Sequence, residues 1–324
     1  MVQAKLIAAK PIAAQFVAGI LAALLIAACL ATTGAAATPE NDVHGRAYLF
    51  RGLIGLIDWG MDQLADRINR SGVAANINSH LMWRDVANQA ISDYRRDPKP
   101  IAVIGHSIGG DAAMQFAEAL GAAHVPVSLL ITYDPNRSAD QVPANVERYI
   151  DLYQSSNFLG GGDPAPGRGF HGHYASFNLK DRPEVMHVNM DKFDRIQEQL
   201  AAKIRTMAAR GEGEAVPLHI VFPATGPIEL WDSGRPVSAH AGDTLQSLAA
   251  TYHVPLWTLT QINQKSENAA LTENERIVIP RYLGQKAVAS PAASPTPAAA
   301  AGSAPAAVAS PTPAPAVGST PAAH

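Results

Sequence analysis

Short runs of consecutive apolar residues alternate with segments in which apolar residues recur every three or four positions, and the alternation fills residues 40–210. Residues 47–52 (AYLFRG), 73–79, 101–105 (IAVIG), 128–134 (SLLITYD), 146–154 and 185–190 are such runs, bounded by turn formers, and are predicted strands. Residues 61–69, 83–96, 111–120 and 192–209 carry apolar positions at i, i+3, i+4 and are predicted helices. Strands alternating with helices argue for an α/β fold: a compact, doubly wound, mostly parallel sheet covered on both faces. Residues 211–226 read as a connection, and 227–283 as a second, small unit.

Outside these limits the pattern changes. Lys5 and Lys10 precede a stretch, 11–39, without a charged residue, and its centre, 12–31, is dense in Ala, Leu, Ile, Val and Phe. This is an export signal or an N-terminal anchor. Ile26-Ala27-Ala28-Cys29 resembles the bacterial lipoprotein box, in which Cys29 becomes the lipidated first residue. Ala35-Ala36-Ala37 fits ordinary signal cleavage, and the run is also long enough for an uncleaved membrane helix at ~20 residues. All three place the rest of the chain outside the cytoplasm, in the periplasm or cell envelope, the first and third at a membrane. Residues 284–324 are mostly Ala, Pro, Ser and Thr, with Ala-Ser-Pro-Thr-Pro-Ala at 293–298 and again at 309–314; they read as a disordered spacer.

Composition narrows the function. The chain has 324 residues, room for about two domains, and its 47% apolar content is inflated by alanine at the ends. A net charge of −3 with no Lys/Arg cluster argues against nucleic acid as a partner. A single cysteine excludes an internal disulfide framework and every cysteine-based zinc site, and nothing in the sequence asks for a cofactor or a metal.

The chemistry concentrates at residues 100–116, where an apolar strand runs into Gly105-His106-Ser107-Ile108-Gly109 and straight out into a helix. This is the nucleophile-elbow pattern G-x-S-x-G in its strand-turn-helix context. Ser107 needs a histidine to take its proton and an acid to orient that histidine, in the chain order Ser, acid, His. Asp134 closes the strand LLITYDP and is the expected acid, with Asp151 as alternative. Among the histidines, His187 in EVMHVNM, at a strand end before the last helix, is preferred as base; His171 and His173 are the alternatives, and His106 belongs to the elbow itself. The backbone N–H of Ile108 and that of Arg51 or Gly52 are expected to hold the oxyanion.

Residues 45–209 resemble a compact α/β-hydrolase domain of the lipase, esterase and thioesterase kind, through GHSIGG, ITYDP and MHVNM. The glycine-rich lipase oxyanion motif is replaced by FRGLIG, and no segment is long enough for a large helical cap. Residues 237–264 resemble the LysM module: Gly242-Asp243-Thr244-Leu245 opens a helix with Asp or Thr as cap, Leu259, Ile262 and Asn263 fit a second helix, and Ile277-Val278-Ile279-Pro280 a closing strand. Glu273-Asn274 stands where the family has a proline-glycine turn. The resemblance implies a βααβ module that binds peptidoglycan or another N-acetylglucosamine-containing glycan. The backbone of 242–245 and of 271–274, including Leu271 and Thr272, would flank its groove. Together these features point to an exported serine hydrolase cleaving an ester, thioester or lipid substrate through an acyl-enzyme, retained at the wall by LysM. The alternative is a non-catalytic glycan-binding envelope protein with a degenerate hydrolase domain.

Overall fold

The computed structural model describes residues 44–53, 59–207 and 214–283. The N-terminal segment with Cys29 and the Ala/Pro-rich tail lie outside the described residues.

Seven strands build the main sheet: β1 (Gly45–Arg51), β2 (Val73–Ser79), β3 (Ile101–His106), β4 (Leu129–Tyr133), β5 (Arg148–Tyr153), β6 (His173–Asn178) and β7 (Leu218–Val221). They run in the order β2-β1-β3-β4-β5-β6-β7, and every neighbouring pair is parallel. A parallel sheet buries both faces, which is why the central strands are apolar at successive positions. In β1, Ala47 and Leu49 enter one core layer while Tyr48 and Phe50 enter the other. Helices α1 (Trp59–Asn69) and α4 (Asp194–Arg205) cover the first layer with Met61, Leu64, Ile196 and Leu200. Helices α2 (Trp83–Arg96) and α3 (Ile108–Ala122) cover the second, α2 through Ala87 and Ala90, α3 through Met114 and Phe116. The chain winds outward from β1 to β2, then returns to the other side of β1 as β3. A doubly wound sheet opens its crevice above the carboxyl ends of the strands at such a switch point.

Two parts of the sheet depart from the sequence expectation. Residues 185–190 are not a strand but a series of turns, with N–H groups of Val185, Asn189 and Met190 donating back to Arg182, Met186 and Met186 carbonyls. Val185 and Met190 are buried while Met186 and Val188 are exposed, so the apolar run that suggested a strand is divided between core and surface by a loop. The strand is instead β6, HYASFN, concealed by its polar residues, all six of which positions are buried. Strand β7 lies inside residues 211–226, expected to be a connection, and is only four residues long.

Strands β8 (Trp231–Ser238) and β9 (Arg276–Tyr282) pair antiparallel, with α5 (Leu245–Tyr252) and α6 (Leu256–Asn263) between them, giving the expected βααβ order. Leu245, Leu248, Val254, Leu259, Ile277 and Ile279 form the module's own core. Thr244 caps α5: its Oγ1 accepts from the Ser247 N–H, and its N–H donates to Ser247 Oγ, each at 3.0 Å. Asn274 takes the left-handed conformation, φ 64°, in the turn where proline-glycine is absent.

The module also packs into the core of the main sheet. Trp231 is fully buried with its ring 5.7 to 6.3 Å from those of Phe177, Phe222, Trp257 and Tyr282. Beside it, the Asp232 carboxylate receives Lys203 Nζ at 2.6 Å, with Arg148 at 3.7 Å and His173 at 3.4 Å. Burial would raise this carboxyl's pKa, but His173 and Lys203 outweigh burial and hold it well below the usual range. The Gln261 side chain meets β7 as another strand would, accepting from the Val221 N–H at 2.7 Å and donating to its carbonyl at 3.0 Å.

Because Trp231 belongs to the core that both parts share, Trp231→Ala is expected to cost about 3–5 kcal/mol in urea unfolding. Calorimetry of the unsubstituted chain should show the sheet and the βααβ module melting in one transition; two resolved transitions would show that this packing does not couple them.

Candidate active site

The turn after β3 is built around close backbone contact. Ser107 sits at φ 57°, ψ −128°, a strained conformation for a residue with a side chain. Its N–H donates to the Tyr133 carbonyl at 2.9 Å, and its own carbonyl accepts from the Gly110 N–H at 2.8 Å. A Cβ on Gly105 would stand 2.1 Å from the Gly109 carbonyl oxygen, and one on Gly109 would stand 2.2 Å from that of Phe50. Only glycine at both positions lets β3 and α3 approach closely enough to present Ser107 at the crevice.

Asp134, the residue after β4, is fully buried. Its Oδ1 accepts from the backbone N–H groups of Gln154 (3.0 Å) and Gly161 (2.8 Å), its Oδ2 from Asn157 Nδ2 (2.6 Å) and His187 Nδ1 (2.7 Å). Burial alone would raise its pKa; the hydrogen bonds from His187, Gln154, Asn157 and Gly161 overcome that and lower it, so the carboxyl is ionised at neutral pH. A carboxylate only accepts, so His187 Nδ1 carries the proton and Nε2 is left to accept from Ser107 Oγ, 3.0 Å away. The three residues preferred from sequence are thus brought into one relay.

His187 reaches this place on a loop tied from several sides. His106 Nε2 donates to the His187 carbonyl at 2.8 Å, and the two rings lie 5.1 Å apart. Asn189 Oδ1 accepts from the Met186 N–H at 2.7 Å, and its Nδ2 donates to the Glu184 carbonyl at 3.0 Å. The alternatives lie elsewhere. His173 begins β6, at the amino end of the sheet, with Nδ1 2.9 Å from Ser233 Oγ, and His171 is exposed in the loop before it. Asp151 lies within β5, accepts from Thr132 Oγ1 at 2.6 Å, and is pushed by burial well above the usual carboxyl range, toward the neutral acid.

Ile108 is the first residue of α3, where N–H groups have no intrahelical partner. The Phe50 and Arg51 carbonyls lie against Gly109, which brings the backbone of Arg51 and Gly52 beside that helix end; the Arg51 guanidinium pairs with Asp62. Sequence reasoning missed the residues that hold the acid and base in place: His106, Asn157 and Gly161. A fully buried carboxylate requires several donors, and the Asn157–Gly161 stretch after the next strand was the available source.

In the βααβ module, Thr244 bridges Ala270, which sets the 242–245 and 270–274 loops side by side. Gly242 has φ 88°, and Asp243 Oδ2 accepts from the His240 N–H at 2.8 Å. Leu245 and Leu271 are buried, so they offer a groove only backbone; the Thr272 N–H is taken by Glu275 at 2.9 Å. Among the described residues no group of three or more His, Cys, Asp or Glu is arranged to hold a metal, and no helix is long and apolar enough to cross a membrane.

A doubly wound parallel sheet with a strained serine between β3 and α3 defines an α/β-hydrolase-like core, and the chain joins it to a small LysM domain. The LysM domain family matches residues 240–280. A putative hydrolase of the alpha/beta superfamily from Xanthomonas campestris pv. campestris aligns at 17% identity over 38% of this chain and 76% of its own, TM-score 0.28. The esterase domain of a Rhodothermus marinus protein aligns at 14% identity over 38% and 68%, TM-score 0.28. YbtT, a type II thioesterase from a yersiniabactin biosynthetic pathway, aligns at 16% identity over 31% of this chain, TM-score 0.24, and the match spans 45% of that thioesterase. These similarities are too slight to carry an activity across. No curated protein matches the chain.

The lowered Asp134 carboxyl makes a pH prediction. A depressed folded-state pKa contributes stability that is fully present above the unfolded value of about 3.9 and is lost as pH falls through the folded value. The stability gap between the unsubstituted chain and Asp134→Asn, measured by urea unfolding, should therefore stay level from pH 7 to about 5 and shrink only below about pH 4.

Proposed function

We propose that the chain is an extracytoplasmic serine hydrolase that cleaves an ester or thioester through an acyl-enzyme and is retained at the cell wall by its LysM module. The observation that carries the reading is the relay of 3.0 Å from Ser107 Oγ to His187 Nε2 and 2.7 Å from His187 Nδ1 to Asp134 Oδ2. Ser107 Oγ attacks the carbonyl carbon as its proton passes to His187 Nε2. The N–H of Ile108 and one from residues 51–52 steady the oxyanion. Its collapse breaks the bond to the leaving alkoxide or thiolate, which takes the proton from Nε2, and water, deprotonated by His187, then releases the acid. Asp134 stays ionised and stabilises the imidazolium. The non-catalytic alternative is disfavoured on energetic grounds: a strained Ser107 costs stability, a fully buried carboxylate needs four donors to stay ionised, and a purely structural turn requires neither.

The LysM loops at 242–245 and 271–274 supply the glycan groove in this reading, with peptidoglycan or a related N-acetylglucosamine polymer as partner, and lipidation at Cys29 would hold the chain at a membrane.

A fluorophosphonate probe should label the purified chain on Ser107, and Ser107→Ala should lose both labelling and hydrolysis of short p-nitrophenyl esters, by several orders of magnitude in kcat. Retained hydrolysis in that variant would end the enzymatic reading. Separately, the full-length Ser107→Ala protein should co-sediment with insoluble peptidoglycan; a folded protein left wholly in the supernatant would remove the glycan-binding half and leave the hydrolase intact.

A further inference from the structure

Large apolar side chains are distributed unevenly over the surface. Among the described residues, those that are exposed stand on the connections leaving the carboxyl ends of the strands, Leu53 after β1 included, apart from Trp59 at the start of α1. Leu81 and Met82 follow β2; Phe158 and Leu159 follow β5; Met186 and Val188 follow β6. Their exposure is high, 97% for Phe158 and 78% for Leu81. Each pair is tied to the relay: Met186 and Val188 flank His187, while Phe158 and Leu159 lie between Asn157 and Gly161, both of which donate to Asp134. The turn holding Leu81 and Met82 packs against α3, the helix that begins after Ser107.

Scattered exposed leucines need no explanation, but apolar residues gathered on the side of the sheet that presents the nucleophile do. Ser107 lines neither of two cavities elsewhere, one of about 560 Å³ between β2 and α2 and one of about 390 Å³ at the amino ends of β5 and β6. Ser107 itself follows the carboxyl end of β3, so an acyl group bonded to it starts on the side of the sheet that carries these pairs. The cations bordering them are already engaged: Arg84 lies over the Trp83 ring, Arg182 pairs with Glu184, and Lys192 Nζ donates to the Val188 carbonyl. What these three pairs offer an acyl group is hydrocarbon.

Resting on the hydrolase reading above, we propose that the substrate is an ester or thioester of a long hydrocarbon acyl chain, and that the rim formed by these three pairs binds the chain and sets the length preference. Each added methylene that leaves water for the rim strengthens binding.

The test is a series of p-nitrophenyl acetate, butyrate and octanoate, each below its micelle concentration, with the full chain. The kcat/KM for octanoate should exceed that for acetate at least tenfold. In Phe158→Ser/Leu159→Ser the octanoate-to-acetate ratio should fall at least fivefold; both side chains are exposed, and near-UV circular dichroism checks that the fold is kept. A flat or falling series with acetate still cleaved, or a ratio unmoved in the double variant, would overturn the rim while leaving the hydrolase reading in place. A flat series together with a dimer that the double variant disperses would assign these residues to self-association and equally overturn it. Failure to cleave any ester, with no fluorophosphonate adduct, would overturn the hydrolase reading and the rim with it.

Discussion

Backbone meets backbone where α3 leaves β3, and the rest of the site depends on that contact. With no side chain at 105 or 109, the helix start lies directly against the end of β3 and the Phe50 carbonyl of β1. This contact forces Ser107 into its strained turn, sets the first N–H groups of α3 beside residues 51–52, and holds the serine hydroxyl above the sheet. A single methyl at either glycine would separate the two elements, and the strain at Ser107 would lose the packing that sustains it.

The second requirement is electrostatic. A buried carboxylate is costly unless each oxygen is satisfied, and Asp134 meets that condition with four donors, three from residues 154–161 and one from His187. The same four bonds therefore do two things at once. They keep the acid ionised, which fixes the His187 tautomer, and they anchor the 154–161 loop across the end of β4 and β5. Asp151, one strand away and equally buried, receives a single protein donor and is driven toward the neutral acid instead. Four donors outweigh burial at Asp134, whereas at Asp151 burial and the negative charges of Asp163 and Asp134 outweigh the one bond from Thr132.

What was legible in the sequence follows from this physics. Strands β1 to β5 and all four helices of the main layers were readable because each satisfies its apolar periodicity locally, and the elbow was readable because Gly105 and Gly109 are steric necessities. His187 was preferred for its place at an expected strand end before the last helix; that strand is a loop, and the loop sets His187 Nε2 3.0 Å from Ser107 Oγ. Strands β6 and β7 were not readable. Polar residues in β6, His173, Ser176 and Asn178, find partners on Ser233, Asp163 and Ser155, contacts distant in sequence that no periodicity announces. Strand β7 is four residues long, too short to show alternation, and gains its place from β6 on one side and Gln261 on the other.

That last contact changes how the βααβ module relates to the sheet. An open edge of a parallel sheet exposes unpaired N–H and C=O groups, a liability that proteins cover or pair. Here an amide side chain from α6 supplies the missing donor and acceptor at Val221, while Trp231 fills the core beneath and Asp232 draws Lys203 and Arg148 toward β8. Val216 pairs with Gly234 just before β7, so the segment expected to be a free connection is itself hydrogen-bonded to the module's first strand. Residues that belong to the module thus complete the hydrophobic core and the edge of the seven-stranded sheet. The loops proposed to hold glycan are therefore carried by elements packed against the same sheet that presents Ser107.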